Sequence, residues 1–393
     1  MTDVKELRPP TLLQKLMSFV ILTLVSTTVG VAMKLSQTGG TYTYSPASVV
    51  VLTEVYKLII TLLIVWRLVI TREELSHSSF SSSSSSSSSV ITEMIHILTE
   101  NVTKDLIWRE FLLSLMYTFV NIVTFPIFTY MSASLFFLLK TSSPVVTAII
   151  LRFVSDRHIS KVRWFAIIMQ CLGLLVTQVN FCTGTTAITP MGYILTAANL
   201  ASSCLAGVYN EKIIKTQASS LNAQNAILYS FGIILNTILH FVAPPVLLGM
   251  TEKPDFFEGY KPSTFFVIIS NGSVGLVISA VYRYADVLIK TFGIAGSTSL
   301  LFLFESMGLL PKDKRTASVG VTFAGVATIF YAAYVYIAPE PQVMESVRDN
   351  DDDDDNMIAA PALRRAYTHL CGMLVLGITS IALVFMDYGN CFV

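Results

Sequence analysis

Apolar residues in this chain gather into stretches of about 20, separated by short polar breaks. A helix of that length crosses the hydrocarbon core of a bilayer. The pattern predicts ten spans, at residues 17–35, 46–70, 110–130, 132–154, 163–181, 188–212, 223–248, 263–288, 292–310 and 317–338. Tyr367 to Met386 is apolar and long enough for an eleventh, which would put the carboxyl terminus on the far side of the membrane. The fold class that follows is an all-α membrane protein.

Composition agrees: 53% of the 393 residues are hydrophobic and 13% charged, with a mean hydropathy of +0.64, far from a soluble globular domain. Acidic residues cluster in Asp351 to Asp355 while basic ones flank the apolar spans, a distribution that gives no nucleic-acid reading. Lys5, Arg8 and Lys15 precede a first span too long and too polar-flanked for a cleavable leader, so that span is expected to be retained.

Lysine and arginine in short loops set the orientation, because the cytoplasmic side carries their excess. Lys5, Arg8 and Lys15, then Arg67 and Arg72, then Arg152, Arg157, Lys161 and Arg163, then Lys212 and Lys215 all fall on one side. Both ends of the ten-helix unit are therefore expected in the cytosol. Lys312, Lys314 and Arg315 fall on the other side and count against the scheme.

Arg163 to Gly173 and Arg315 to Gly325 share one offset, each followed by an apolar run. This faint repeat fits two inverted five-helix repeats with a ligand site near the bilayer midplane. The expected organisation is a cytosolic segment at 1–16, a first repeat at 17–181 with a serine-rich cytosolic loop at about 73–107, a second repeat at 188–338, an acidic linker at 339–365 and a further membrane segment at 366–393. The Ser81 to Ser89 run reads as a flexible linker and Asp351 to Asp355 as a solvated tail. Of the two glycosylation sequons, Asn101 is cytosolic in this scheme and Asn271 lies within the eighth span.

Few charges fall inside the apolar stretches, and most are cationic: Lys57, Lys140, Arg283 and Lys290 against Glu54, Asp286 and Glu305. Ionisable groups at bilayer depth are costly and mark ligand or ion pathways, so the excess points to an anion. Glu54 and Lys57 stand three apart on one helix, close enough to pair; a structural ion pair and substrate contact both remain open. Arg283, Asp286 and Lys290 form a ladder on the predicted eighth helix, where one acid facing two bases leaves a positive face suited to phosphate. Lys140 has apolar or hydroxyl-bearing neighbours from Leu135 to Val146, so its partner is expected from another helix or a ligand. Asn121, Asn225 and Tyr229 suit either hydrogen bonding to a base or sugar or bridging of helices. Glu305 is expected across from Lys140 or Arg283. The five histidines are dispersed and the five cysteines lack metal-ligand spacing, so neither a metal nor a cofactor is expected. A bridge between Cys182 and Cys391 would require both to face an oxidising lumen.

The segment GVYNEKIIK, Gly207 to Lys215, is followed ten residues later by Asn225. With TEVYK (Thr53 to Lys57), YRYADVLIK (Tyr282 to Lys290) and Arg157, Ser160, Trp164, Gly173 and Gln178, it resembles the Golgi nucleotide-sugar transporters of the CMP-sialic acid and UDP-galactose type, in the drug/metabolite transporter superfamily. The resemblance covers about residues 15–338. Together with the intramembrane charges it implies substrate contacts for Glu54, Lys57, Asn121, Lys140, Ser143, Tyr209, Asn225, Tyr229, Arg283, Tyr284 and Lys290, and structural or gating roles for Glu211, Lys212 and Asp286. The chain departs from the family at several places. A gapless alignment puts Ser143 where the family has a fourth-helix lysine, with Lys140 one turn earlier on the same expected helical face. Arg283 replaces a lysine, and the hydroxyl-rich Ser297 to Ser299 sits about one turn early.

What the resemblance implies is an antiporter, not an enzyme, which brings a pyrimidine nucleotide sugar such as UDP-galactose, UDP-N-acetylglucosamine or CMP-sialic acid into the lumen of the Golgi or endoplasmic reticulum. It would return the nucleoside monophosphate by alternating access, as a bilayer-embedded homodimer or in complex with glycosyltransferases. A transporter of another phosphorylated organic anion is the alternative. A membrane-embedded glycosyltransferase ranks below both, because the sequence offers no carboxylate pair or histidine cluster for its chemistry.

Overall fold

Backbone polar groups in hydrocarbon must be bonded within their own segment, which favours helices wherever the chain is apolar. The computed structural model describes residues 10–36, 44–77, 87–131, 133–178, 190–247, 255–310, 318–338, 368–369, 371–380 and 382–383, and among these every regular element is an α-helix. In chain order they are α1 (Leu12–Ser36), α2 (Pro46–His77), α3 (Ser87–Thr99), α4 (Lys104–Tyr130), α5 (Ala133–Lys140), α6 (Ser143–Ser155), α7 (Lys161–Gln178), α8 (Pro190–Thr216), α9 (Leu221–Leu247), α10 (Pro262–Tyr284), α11 (Val287–Ser306) and α12 (Val319–Ile337). A short apolar helix, α13, follows at Cys371–Ser380. Among the described residues eight helices are long and apolar enough to cross a membrane: α1, α2, α4, α8, α9, α10, α11 and α12. The chain is a multi-pass membrane protein.

Three sequence expectations change. The fourth span, expected unbroken over 132–154, is two helices, α5 and α6, parted at Thr141 and Ser142. Pro144, in the first turn of α6, has no N–H to donate to the Lys140 carbonyl four residues earlier, so the helix ladder is interrupted there. The Thr141 and Ser142 hydroxyls donate to the carbonyls of Leu138 and Leu139, at 2.7 and 2.8 Å, and so satisfy the end of α5. Lys140 closes one helix and Ser143 opens the next, so they do not share one helical face. The eighth span ends at Tyr284, and Asp286 starts a new helix, so Arg283, Asp286 and Lys290 are not a ladder. The loop at about 73–107 contains the end of α2 and the whole of α3. Ser81 to Ser86, Asp351 to Asp355, Cys182, Cys391 and Arg315 lie outside the described residues.

The chain forms two compact units, one from residues within 32–130 and 191–283, the other from residues within 10–31, 131–190 and 284–393. Each draws helices from both halves of the sequence. In the first unit α9 packs on α2 and α4, while α3 lies against α2 and α9. Its core includes Leu106, Leu113, Ala206, Ile213, Leu228 and Tyr229. A second cluster, of Ala32, Tyr44, Val49, Val267 and Ile268, is bordered by Tyr260. There the Ser48 and Tyr260 hydroxyls meet at 2.9 Å, and Ser45 lies 3.2 Å from His240 Nδ1. Burial raises the pKa of the Tyr260 phenol, against the lowering effect of Ser48.

In the second unit α7 and α12 pack closely and α11 lies against both. Gly173 and Gly325, the pair that share a sequence offset, meet at this contact. A Cβ on Gly325 would stand 2.9 Å from the Gly173 carbonyl oxygen, and a Cβ on Gly173 would stand 3.0 Å from that of Gly325. Only the missing side chains allow the backbones this near. The α13 segment docks on the same unit, with the Ser380 and Thr328 hydroxyls 3.0 Å apart.

Candidate functional site

One turn of α2 brings Glu54 and Lys57 onto a single face, and the ammonium meets Glu54 Oε1 at 2.5 Å. The side chains are 16% and 12% exposed. Lys57 also lies over the Tyr229 ring of α9, 4.3 Å from its centroid. The Tyr229 hydroxyl is 3.3 Å from that of Ser279 on α10. Two glycines make room for the pair: a Cβ at Gly232 would lie 3.1 Å from the Glu54 carboxyl carbon, and one at Gly275 would lie 2.7 Å from Lys57 Cδ. The lysine is thus held by a carboxylate on one side and an aromatic face on another, in a setting where an unpartnered charge is costly.

Around this centre the first unit arranges the other predicted residues. Asn121 donates to Asn236 Oδ1 at 3.1 Å, and Asn236 donates to the Gly232 carbonyl at 2.8 Å, so the asparagines tie α4 to the stretch of α9 that passes Glu54. Asn225 is buried one turn before Tyr229. Tyr209 is half-buried on α8. Glu211 pairs with Lys215, while Lys212 is exposed. Arg283 donates to the Ile214 carbonyl at 3.0 Å, fastening the end of α10 to that of α8.

The second unit centres on Asp286, which is 4% exposed. Its side chain caps α11 by accepting the Ile289 N–H at 2.8 Å, the expected use of aspartate at a helix start. The same carboxylate accepts Arg157 Nη2 at 3.0 Å and the Tyr336 hydroxyl at 3.4 Å. The Arg163 guanidinium lies 5.7 Å from the Tyr336 ring centroid. Lys290 is half-buried in the first turn of α11. The Lys140 ammonium lies 4.8 Å from the Phe136 ring centroid. Ser143 is half-buried at the start of α6, and Tyr284 is exposed.

The structure therefore gathers Glu54, Lys57 and Tyr229 into one centre and links Asn121 to it. It places Asp286, Lys140, Ser143 and Lys290 in the other unit. Asn236 and Tyr336 were missed as partners; an asparagine inside an apolar run was the only sequence signal for the first. Among the described residues there is no group of three or more histidine, cysteine, aspartate or glutamate side chains placed to hold a metal ion.

A family model described as nucleotide-sugar transporter matches residues 10–337. The chain belongs to that family. Among its relatives, CMP-sialic acid transporter 1 of Arabidopsis thaliana is 30% identical over 334 residues, covering 81% of this chain and 88% of the relative. CMP-sialic acid transporter 1 of Oryza sativa subsp. japonica is 27% identical over 337 residues, covering 83% and 94%. A solved crystal structure, 13% identical, superposes with a TM-score of 0.55 over 82% of this chain and 95% of that one, a likeness of fold alone. This nucleotide-sugar transporter keeps a paired lysine and glutamate inside a membrane helix, and as a transporter it moves its substrate without chemical change.

Proposed function

We propose that this transporter exchanges a pyrimidine nucleotide sugar for the corresponding nucleoside monophosphate across the Golgi membrane, or that of the endoplasmic reticulum. The observation that carries the reading is Lys57, paired with Glu54 and faced by the Tyr229 ring. A phosphate takes over the ammonium from Glu54, while the aromatic and amide groups around it meet the base or sugar. Without ligand the ion pair closes again. Separating it with no replacement costs about 3–5 kcal/mol, so the empty carrier crosses slowly and the loaded one fast, which is the condition for exchange. The relatives named for CMP-sialic acid make a CMP-linked sugar the first substrate to try, with UDP-galactose and UDP-N-acetylglucosamine next.

Proteoliposomes preloaded with CMP or UMP test the proposal. Uptake of one labelled nucleotide sugar should be much faster into vesicles holding its own monophosphate than into empty ones. Equal rates in both would point to a uniporter, and uptake of simple sugar phosphates alone would point to a different organic anion.

A further inference from the structure

Glu110 belongs to none of the contacts described above. It lies in the second turn of α4, on the face that carries Leu106 one turn before and Leu113 one turn after. All three are buried, Glu110 to 1% exposure. Ala206 and Ile213 of α8 and Leu228 and Tyr229 of α9 pack around that face. Glu110 Oε2 has no hydrogen-bond partner among the described residues. The helix dipole gives little help, since it acts on the first turn and Glu110 lies beyond it.

The charges on neighbouring elements are committed elsewhere. Arg109 of α4 is held by Asp105 at 2.7 Å. Lys57 of α2 is held by Glu54, Lys215 of α8 by Glu211, and Arg283 of α10 by the Ile214 carbonyl. The titratable groups that act electrostatically with Glu110 from the packed helices are the phenols of Tyr209 and Tyr229. Tyr229 also interacts with Glu54 and with Tyr117. Tyr229 therefore interacts with both Glu110 and the Glu54–Lys57 pair. A buried carboxyl with an open oxygen and no cation is stable as the acid, and needs water or a positive charge to ionise.

We propose that Glu110 is a proton-binding site of the transport cycle. It carries a proton while this face of α4 is closed and gives it up when rearrangement of the unit lets water in, so that movement of the nucleotide sugar is accompanied by a proton. The step is an acid dissociation: the carboxyl O–H bond breaks, its electron pair stays on the carboxylate and the proton passes to water. Intramembrane carboxyls in transporters serve such relays. Tyr229 supplies the link, because it lies under Lys57 and interacts electrostatically with Glu110, so displacement of Lys57 by a phosphate changes the charge beside a group that acts on Glu110.

The inference rests on the exchange reading only through its transport assay. Full-length protein in proteoliposomes loaded with CMP or UMP should take up nucleotide sugar at a rate that changes by up to about tenfold per pH unit, as one titrating group allows. A trapped pH dye should record proton movement during uptake. In Glu110→Gln, which keeps shape but cannot ionise, uptake should persist with a flat pH profile and no dye signal; Glu110→Asp should keep a shifted profile. Infrared spectroscopy of the detergent-solubilised protein tests the site without substrate. A carboxylic-acid C=O band present at neutral pH in wild type and lost in Glu110→Gln supports the assignment. An unchanged band pattern, or a wild-type pH profile in Glu110→Gln, overturns it. Absence of uptake at every pH would overturn the exchange reading instead, and the infrared band would still decide Glu110.

Discussion

Glu54 and Lys57 offer a way to separate a ligand contact from a structural ion pair. Removing either partner alone, as Glu54→Gln or Lys57→Met, strands a charge in a poorly hydrated helix contact and should cost about 3–5 kcal/mol. Replacing both, as Glu54→Leu with Lys57→Met, should restore the detergent unfolding temperature toward wild type. It should not restore nucleotide-sugar uptake if the ammonium receives the phosphate. A stable double variant that transports normally would leave the pair purely structural. This pair was legible in the sequence because three-residue spacing on a helix is a local property. The Asn121 to Asn236 hydrogen bond joins residues 115 apart and the Arg157 to Asp286 ion pair residues 129 apart, and no local spacing predicts them.

At the level of elements, the break between α5 and α6 changes what a repositioned lysine can do. If Lys140 also holds the substrate phosphate, as the family resemblance implies, Lys140→Ala should abolish most uptake while Ser143→Ala is mild, since loss of a charge-assisted hydrogen bond costs about 1.5–3 kcal/mol. Because the two positions lie on separate helices, Lys140→Tyr with Ser143→Lys should fail to rescue it; recovery would show that the break closes during transport. Pro144 carried the signal for this break, but a run of apolar residues on both sides outweighed it in the span prediction. The α7–α12 contact makes a different demand. Gly325→Ala drives a methyl against the Gly173 carbonyl, and backbone yields less than a side chain, so about 1–3 kcal/mol of stability should be lost. Gly320→Ala on the same helix, where a Cβ meets nothing within 4 Å, is the control and should leave thermal unfolding unchanged or slightly raised. The shared offset marked Gly173 and Gly325 as equivalent, yet nothing in it said that they touch.

For the whole molecule, apolar run length revealed the class and most of the helices, whereas the composition of the two units was hidden because each takes helices from both halves of the chain. Orientation has a direct check at Asn101, exposed in the turn between α3 and α4. With the basic loops in the cytosol this sequon should stay unmodified in a eukaryotic host, and a glycosidase-sensitive mobility shift would reverse the topology. The lengths of α11 and α12, 20 and 19 residues, carry one more consequence. At about 1.5 Å per residue they reach only about 28–30 Å. That matches the hydrocarbon thickness of endoplasmic reticulum membrane, about 27 Å, better than the roughly 32–33 Å of sterol-rich plasma membrane. Exchange should therefore be faster in vesicles of shorter-chain phosphatidylcholine than in thick, cholesterol-loaded ones, and the second unit's short helices would act as a ruler that favours early secretory membranes.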